Sequence, residues 1–361
     1  MPLNHYVTLG KSGLKVSPLC LGTMTFGEDW GWGASVPECE KILARYIDLG
    51  GNFIDTANVY TYGHSEKIIG DFFRKDPFER QKMVIATKFF GTLKPGDPNA
   101  GGAGRKSIIH ACEESLRRLQ TDYIDLYWMH CWDYQTPIDE TMRALDDLVS
   151  SGKVRYIGFS DTPAWKVAEA HVKSLFQGWV PVSAIQVEYS LLQRTVEGEL
   201  IPMAQELGMG VTPWSPLKSG VLSGKYRREN KDHVEAGRGE WVTSSLDDHA
   251  YDVVEKVIQI AKEVKSTPAK VALKWVCSQP GVTSPIIGAR TIEQLEDNLS
   301  ALDVKLSAEH LKALDEISKP SLNFPADFLK RSPAFRNSNT TINGETGPSN
   351  PLAPADGQRP Y

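Results

Sequence analysis

Short apolar runs alternate with amphipathic stretches along almost the whole chain, and this alternation restricts the possible folds more than any other feature. The candidate strands are PLCLGTM, NFIDTA, MVIATKF, YIDLYWMH, YIGFSD, SAIQVEY, GVTPWSP and SPIIGA. Between them lie segments with helical spacing of apolar residues, such as CEKILARYIDLG, SIIHACEESLRRL, DETMRALDDLVSSG and AWKVAEAHVKSLF. Strand and helix alternating eight times imply a parallel sheet, and over roughly 250 to 300 residues that count fits a closed (β/α)8 barrel of the α/β class better than an open doubly wound sheet. The segment YVTLG-KSG-LKVSP reads as an initial hairpin that plugs one end of the barrel. Helix starts agree with the pattern: Ser35 and Glu38 have capping-box spacing, and Thr136-Pro137, Thr162-Pro163 and Thr267-Pro268 each place a cap before a first-turn proline.

The 361 residues are 41% apolar, enough for a sizeable core, and the formal net charge is −5. No basic block is interleaved with aromatics, so neither a nucleic-acid surface nor attraction to anionic lipid is expected. The N-terminal MPLNHYVTLGKSG lacks an apolar signal core and no run approaches 18 apolar residues, which makes the cytoplasm the expected compartment. Cys20, Cys39, Cys112, Cys131 and Cys277 are odd in number and form no CxxC pair, so free thiols are expected and no metal site.

Four ionisable residues stand where predicted strands run out: Asp55, Tyr60, Lys88 and His130. Active sites of such barrels lie at the carboxyl ends of the strands, where these four converge. Reduction of a carbonyl by hydride leaves a developing alkoxide that needs a proton from a positioned donor. A phenol has an ordinary pKa of about 10. A neighbouring ammonium is expected to lower it, with a carboxylate keeping the ammonium charged and aimed. Tyr60 is thus the candidate donor, Lys88 its helper, Asp55 the anchor of Lys88, and His130 a hydrogen-bonding group for the substrate oxygen. No side chain supplies hydride, so a cofactor is required. The absence of GxGxxG and GxxxxGK[ST] patterns counts against Rossmann and P-loop domains.

These residues sit in blocks that resemble the aldo-keto reductases, in a member of bacterial type: LGTMTFG, DTANVYTYGHSE, IATKFF, YIDLYWMH, YIGFSD, IQVEYSLL, WSPLKSGVLSGKY and IIGARTIEQLEDNL, spanning roughly residues 5 to 318. The resemblance implies a barrel over residues 5–320 and a C-terminal extension over 321–361. It carries the catalytic tetrad to Asp55, Tyr60, Lys88 and His130, since Tyr60 rather than Tyr62 has the family's offset from Asp55. It also implies a nicotinamide dinucleotide, NADP(H) in preference to NAD(H), and an NADP-dependent reductase of aldehydes and ketones, reversible towards alcohol oxidation. The cofactor would lie against Gly22, Thr23, Met24 and Asp55, with its carboxamide near Ser160, Asp161 and Gln186 and its nicotinamide stacked on Trp214. Ser215, Pro216, Leu217, Ser219, Gly220 and Lys225 would meet the pyrophosphate. Gly288, Arg290, Gln294 and Asn298 would meet the adenosine end, with Arg290, beside the Thr291/Gln294 capping box, clamping the 2′-phosphate.

Departures from the family pattern are visible. Asp161 stands where most members have Asn, Trp214 where Tyr is common, and Gly288 and Ala289 where some carry Lys and Ser. Phe26, Trp30, Trp32, Phe90 and Trp132 are the expected pocket walls, suited to a hydrophobic carbonyl or alcohol. Residues 336–361, rich in Gly, Pro and Asn, read as an extended or partly disordered tail. The protein is expected as a monomer or homo-oligomer without nucleic-acid or membrane partners. Two other readings are open at this stage. One is a cofactor-binding regulatory subunit resembling potassium-channel beta subunits, and the other an aldolase with Lys88 as its Schiff-base amine.

Overall fold

The computed structural model describes residues 2–230, 242 and 245–354. Its centre is an eight-stranded parallel sheet: β3 (Cys20–Gly22), β4 (Phe53–Asp55), β5 (Val84–Phe89), β6 (Ile124–Met129), β7 (Val154–Ser160), β8 (Val182–Glu188), β9 (Gly210–Trp214) and β10 (Ile286–Gly288). Neighbouring strands follow chain order, and β10 pairs with β3. The remaining seam is joined by a Val211–Val282 bridge and by the Thr283 N–H on the Val211 carbonyl at 2.8 Å. The result is the (β/α)8 barrel expected from the alternation, with every predicted strand present.

Most of the strand residues are buried on both faces, with β10 the most open. Outward side chains such as Ile54, Ile85, Tyr127 and Ile185 pack against the surrounding helices, while Phe53, Val84, Ala86, Leu126, Trp128 and Ala184 form a separate inner cluster. The hairpin of β1 (Val7–Thr8) and β2 (Lys15–Val16) delivers fully buried Leu9 and Val16 to that inner cluster, closing the barrel end opposite the strand carboxyl termini. Trp128 lies across the interior, and Gly158 makes room for it: a Cβ at Gly158 would stand 2.2 Å from the indole. The barrel is therefore a packed floor rather than a pore, and chemistry is confined to its carboxyl-terminal mouth.

Several helix starts differ from the sequence reading. Ser35 is the N-cap of helix Val36–Asp48, but its hydroxyl takes no cap bond. Pro37 has no N–H to offer, and the Glu38 N–H is held by the Ser35 backbone carbonyl at 3.0 Å. Pro137 and Pro163 are themselves the N-cap residues, extended at ψ 134° and 138°. Their preceding threonines bond elsewhere, Thr136 to Asp133 at 2.7 Å and Thr162 to the Ser160 carbonyl at 2.8 Å. Thr267 caps helix Pro268–Cys277 as expected. Beyond the barrel, a short helix, Ser332–Asn337, runs into the segment read as an extended or partly disordered tail, and that segment holds a small hairpin, Thr341–Ile342 with Glu345–Thr346. Residues 355–361 lie outside the described residues. All five cysteines are unpaired, and among the described residues no helix is long and apolar enough to cross a membrane.

Candidate active site

Strand register brings three of the four ionisable residues together. Asp55 ends β4 opposite Ala86, Lys88 sits two residues further along β5, and His130 directly follows β6. Lys88 has no exposed surface. Its ammonium donates to Asp55 Oδ2, to the Thr56 carbonyl at 2.8 Å and to the Tyr60 hydroxyl oxygen at 3.1 Å. All three of its protons are committed. The second Asp55 oxygen accepts from Gln186 Nε2 at 2.9 Å, which ties β4 to β8 across the mouth.

Tyr60 reaches this cluster because the chain turns sharply after β4. Thr61 and Tyr62 take left-handed conformations, φ 46° and 57°, and Thr61 Oγ1 is fixed to the Phe26 carbonyl at 2.8 Å. Tyr62, the competing phenol, is 68% exposed and points away. His130 faces Tyr60 edge-on, with ring centroids 6.1 Å apart, and its ring nitrogens bond no described residue.

Electrostatics assign a protonation state to each group. Burial, which alone would lower the Lys88 pKa, is outweighed by the Asp55 charge and the Tyr60 hydrogen bond, so Lys88 is held charged well above the ordinary lysine range. Burial raises the Tyr60 phenol above its usual 10, and the opposing Lys88 charge does not cancel it. The expectation that Lys88 brings the phenol below its ordinary value is therefore corrected: desolvation is the larger effect. Tyr60 is a protonated phenol at neutral pH. Since Lys88 donates to its oxygen, the phenolic hydrogen is left to point into the mouth. His130 is lowered from 6.5 to about 3, first by burial and then by the Lys88 charge, and is neutral.

The mouth opens into a cleft of about 1030 Å³. Its walls include Gly22, Thr23, Met24, Asp55, Tyr60, His130, Ser160, Asp161, Gln186 and Trp214 at the tetrad end, with Trp30 and Trp32 above. Ser215, Pro216, Leu217, Ser219, Gly220 and Lys225 follow β9, and Gly288, Arg290, Gln294 and Asn298 follow β10. Asp161 Oδ1 accepts from the Trp214 indole N–H at 3.1 Å and fixes that ring at the cleft wall. Thr291 caps helix Ile292–Leu299 as expected, but the Gln294 side chain accepts from Arg290 N–H at 2.9 Å rather than from the cap residue, so the box is displaced by one residue. Asn298 Nδ2 donates to the Gly288 carbonyl at 3.1 Å.

Three of the expected walls are elsewhere. Phe26 is fully buried in the core because the Phe26–Ala34 bridge at the loop base turns it inward. Phe90 packs against the core and does not line the cleft. Trp132 belongs to a shallower neighbouring depression with Tyr134 and Leu200, where Lys166 lies 5.2 Å from its ring. Conversely, Val59, Tyr226, Leu273, Ile286 and Glu293 line the cleft without having been singled out. Tyr226 adjoins Lys225 and Glu293 adjoins Gln294, so proximity to residues already chosen was the available signal; Leu273, on a helix otherwise facing the core, gave none.

The aldo/keto reductase family profile matches residues 18–319. An uncharacterized oxidoreductase of Bacillus subtilis, YrpG, is 40% identical over 322 residues, covering 87% of this chain and 95% of that protein. An aryl-alcohol dehydrogenase of Pestalotiopsis microspora is 37% identical over 334 residues, 90% of this chain and 85% of its own length. A norsolorinic acid reductase of Aspergillus flavus is 35% identical over 340 residues, 91% and 84% respectively. The chain belongs to the aldo/keto reductase family, whose members generally use nicotinamide cofactors, and it is a carbonyl oxidoreductase.

The neutral state of His130 has a measurable consequence. Its pKa is about 3 when folded, against an ordinary 6.5. The unfolded chain therefore binds more protons in that interval, and stability is lost as pH falls below 6.5, by at most about 1.4 kcal/mol per unit from this group. Urea unfolding of the parent and His130→Asn from pH 7.5 to 4.5 should show the parent losing stability faster. Parallel declines would mean that His130 is not held neutral by the fold.

Proposed function

We propose that the cleft binds a nicotinamide dinucleotide, NADP(H) in preference to NAD(H), and that the protein reversibly reduces hydrophobic aldehydes or ketones with Tyr60 as proton donor. The observation that carries this reading is the Lys88 hydrogen-bond set, which occupies the Tyr60 oxygen from behind and leaves its proton facing the cleft. Lys88 as a Schiff-base amine is disfavoured by the same geometry. A buried ammonium with all protons bonded and a raised pKa has no lone pair to offer a carbonyl.

The residues present suit such a cofactor. At about 1030 Å³ the cleft is at the upper end of small-molecule sites. The flat face of Trp214 and the polar groups of Ser160, Asp161 and Gln186 suit a nicotinamide and its carboxamide. Ser219, Gly220 and Lys225 offer small groups and a cation for the pyrophosphate, and Gly220, at φ 95°, leaves its Cβ position open. Arg290 is exposed at the start of helix Ile292–Leu299, where a guanidinium and a helix N-terminus both favour a phosphate. When bound, the reduced nicotinamide supplies a hydride. His130, neutral, hydrogen-bonds and orients the carbonyl oxygen. Tyr60 transfers its proton to that oxygen as negative charge develops there, and Lys88 stabilises the phenolate left behind. Asp55, held by Gln186, keeps Lys88 charged and aimed.

Trp30 and Trp32, with ring centroids 5.6 Å apart, extend the apolar wall from Tyr60, which is 6.4 Å from Trp30. Such walls favour an aromatic substrate, in keeping with the aryl-alcohol dehydrogenase and norsolorinic acid reductase among the relatives. We place the working unit in residues 5–320 and the protein in the cytoplasm.

Two outcomes are expected. With NADPH and a panel of aromatic aldehydes, absorbance at the nicotinamide band should fall for the parent. Tyr60→Phe should turn over about 100-fold more slowly or worse while binding NADPH nearly as well. Equal turnover by both proteins would remove Tyr60 as donor, and a parent that binds NADPH without turnover would favour a regulatory role. Arg290→Ala should weaken NADPH binding by roughly one to two orders of magnitude and leave NADH almost unchanged. Equal loss for both cofactors would leave the NADP preference without support.

A further inference from the structure

The carboxylates lining the cleft differ in how they are neutralised. Asp55 is paired with Lys88, and Asp297 with Lys270 at 2.8 Å. Glu293 is solvent-exposed at the outer end, where the Thr291 side chain hydrogen-bonds it. Glu188, next to the cleft in the neighbouring depression, is paired with Lys218 at 2.7 Å. Asp161 is the exception. It sits at the tetrad end, and its oxygens meet only neutral donors, the Trp214 indole N–H at 3.1 Å and Ser160 Oγ at 3.3 Å. No cationic side chain among the described residues lies within ion-pair distance of it. The nearest influence of opposite sign is Lys88, whose protons are already committed, while Glu188 adds repulsion. The tetrad itself brings no net charge: Asp55 and Lys88 pair, and His130 and Tyr60 are neutral.

The tetrad end therefore holds one negative charge without a cationic partner, on a carboxylate that is open to the cleft and so available to a cation bound there. Its surroundings at the cleft wall raise the Asp161 pKa, first by desolvation, against the hydrogen bonds of Trp214 and Ser160. The conformation is also committed, since Asp161 is held at φ 41° in the left-handed region with its carboxylate turned towards the cleft and Trp214.

We propose that Asp161 makes this site select the oxidised, cationic form of the nicotinamide over the reduced, neutral form. The inference rests on the nicotinamide reading of the cleft. The two forms differ by one positive charge on the ring while sharing phosphates, sugars and adenine, so an unpaired carboxylate at the tetrad end discriminates between them and the rest of the cleft does not. In carbonyl reduction the oxidised form is the product, and its departure becomes the slow exit. In alcohol oxidation the same contact strengthens cofactor capture.

Isothermal titration calorimetry with NADP⁺ and NADPH on the parent, Asp161→Asn and Asp161→Gly tests this without turnover. Asn keeps the shape and the acceptor for Trp214, and both residues tolerate a positive φ. Both variants should weaken NADP⁺ by about tenfold and NADPH by less than about threefold. Equal weakening of both forms, or of neither, in variants that retain the parent's thermal unfolding would overturn the inference and leave the nicotinamide reading in place. A parent that binds neither form would overturn that reading and this inference with it.

Discussion

An ammonium group with no contact with water lies at the mouth of this barrel, and the surrounding structure is arranged to satisfy it. An isolated buried charge costs several kcal/mol. The Lys88 charge persists because β4 ends at Asp55, because the Thr56 carbonyl turns inward, and because the following turn brings Tyr60 back to the third ammonium proton. Asp55 is in turn restrained by Gln186 from the far side of the barrel. Barrel closure, strand register and the left-handed turn at Thr61 and Tyr62 are thus all needed to hold the Tyr60 phenol against the Lys88 ammonium.

The packed interior beneath makes that arrangement rigid. Leu9 and Val16 of the hairpin and the ring of Trp128 belong to the apolar cluster that fills the barrel, so the tetrad rests on an apolar floor. Low polarity below the site explains why burial dominates the titration of Tyr60 and His130. It keeps the phenol protonated and the imidazole neutral, the states required of a proton donor and of a hydrogen-bonding orienter.

Features set by repeating pattern or by charge chemistry were legible in the sequence. Eight strand–helix alternations give the barrel, and the carboxylate, phenol, amine and imidazole read at or just after strand ends do meet at one mouth of it. Features set by side-chain direction were not. Phe26 and Trp132 are loop aromatics of similar apparent promise to Trp30, yet a two-residue bridge buries Phe26 and the turn after β6 sends Trp132 to another depression. The caps at Thr136 and Thr162 failed because each following proline is extended and becomes the cap itself. The sign of the Tyr60 shift depends on the balance between desolvation and a single charge, which composition and spacing do not contain. Asp161 was visible as a departure from the family pattern, but its lack of a cationic partner required the three-dimensional neighbourhood.

In the proposed reaction Lys88 acts through Tyr60, neither as a nucleophile nor as a mere structural cation. Lys88→Met keeps the length of the side chain and removes its charge, while Asp55 retains the Gln186 donor. Single-turnover reduction of an aromatic aldehyde by bound NADPH, with the fold checked by circular dichroism, isolates the chemical step. In the variant the step should slow about 100-fold or more, with NADPH affinity within about threefold of the parent. A folded variant whose chemical step runs at nearly the parent rate would contradict it.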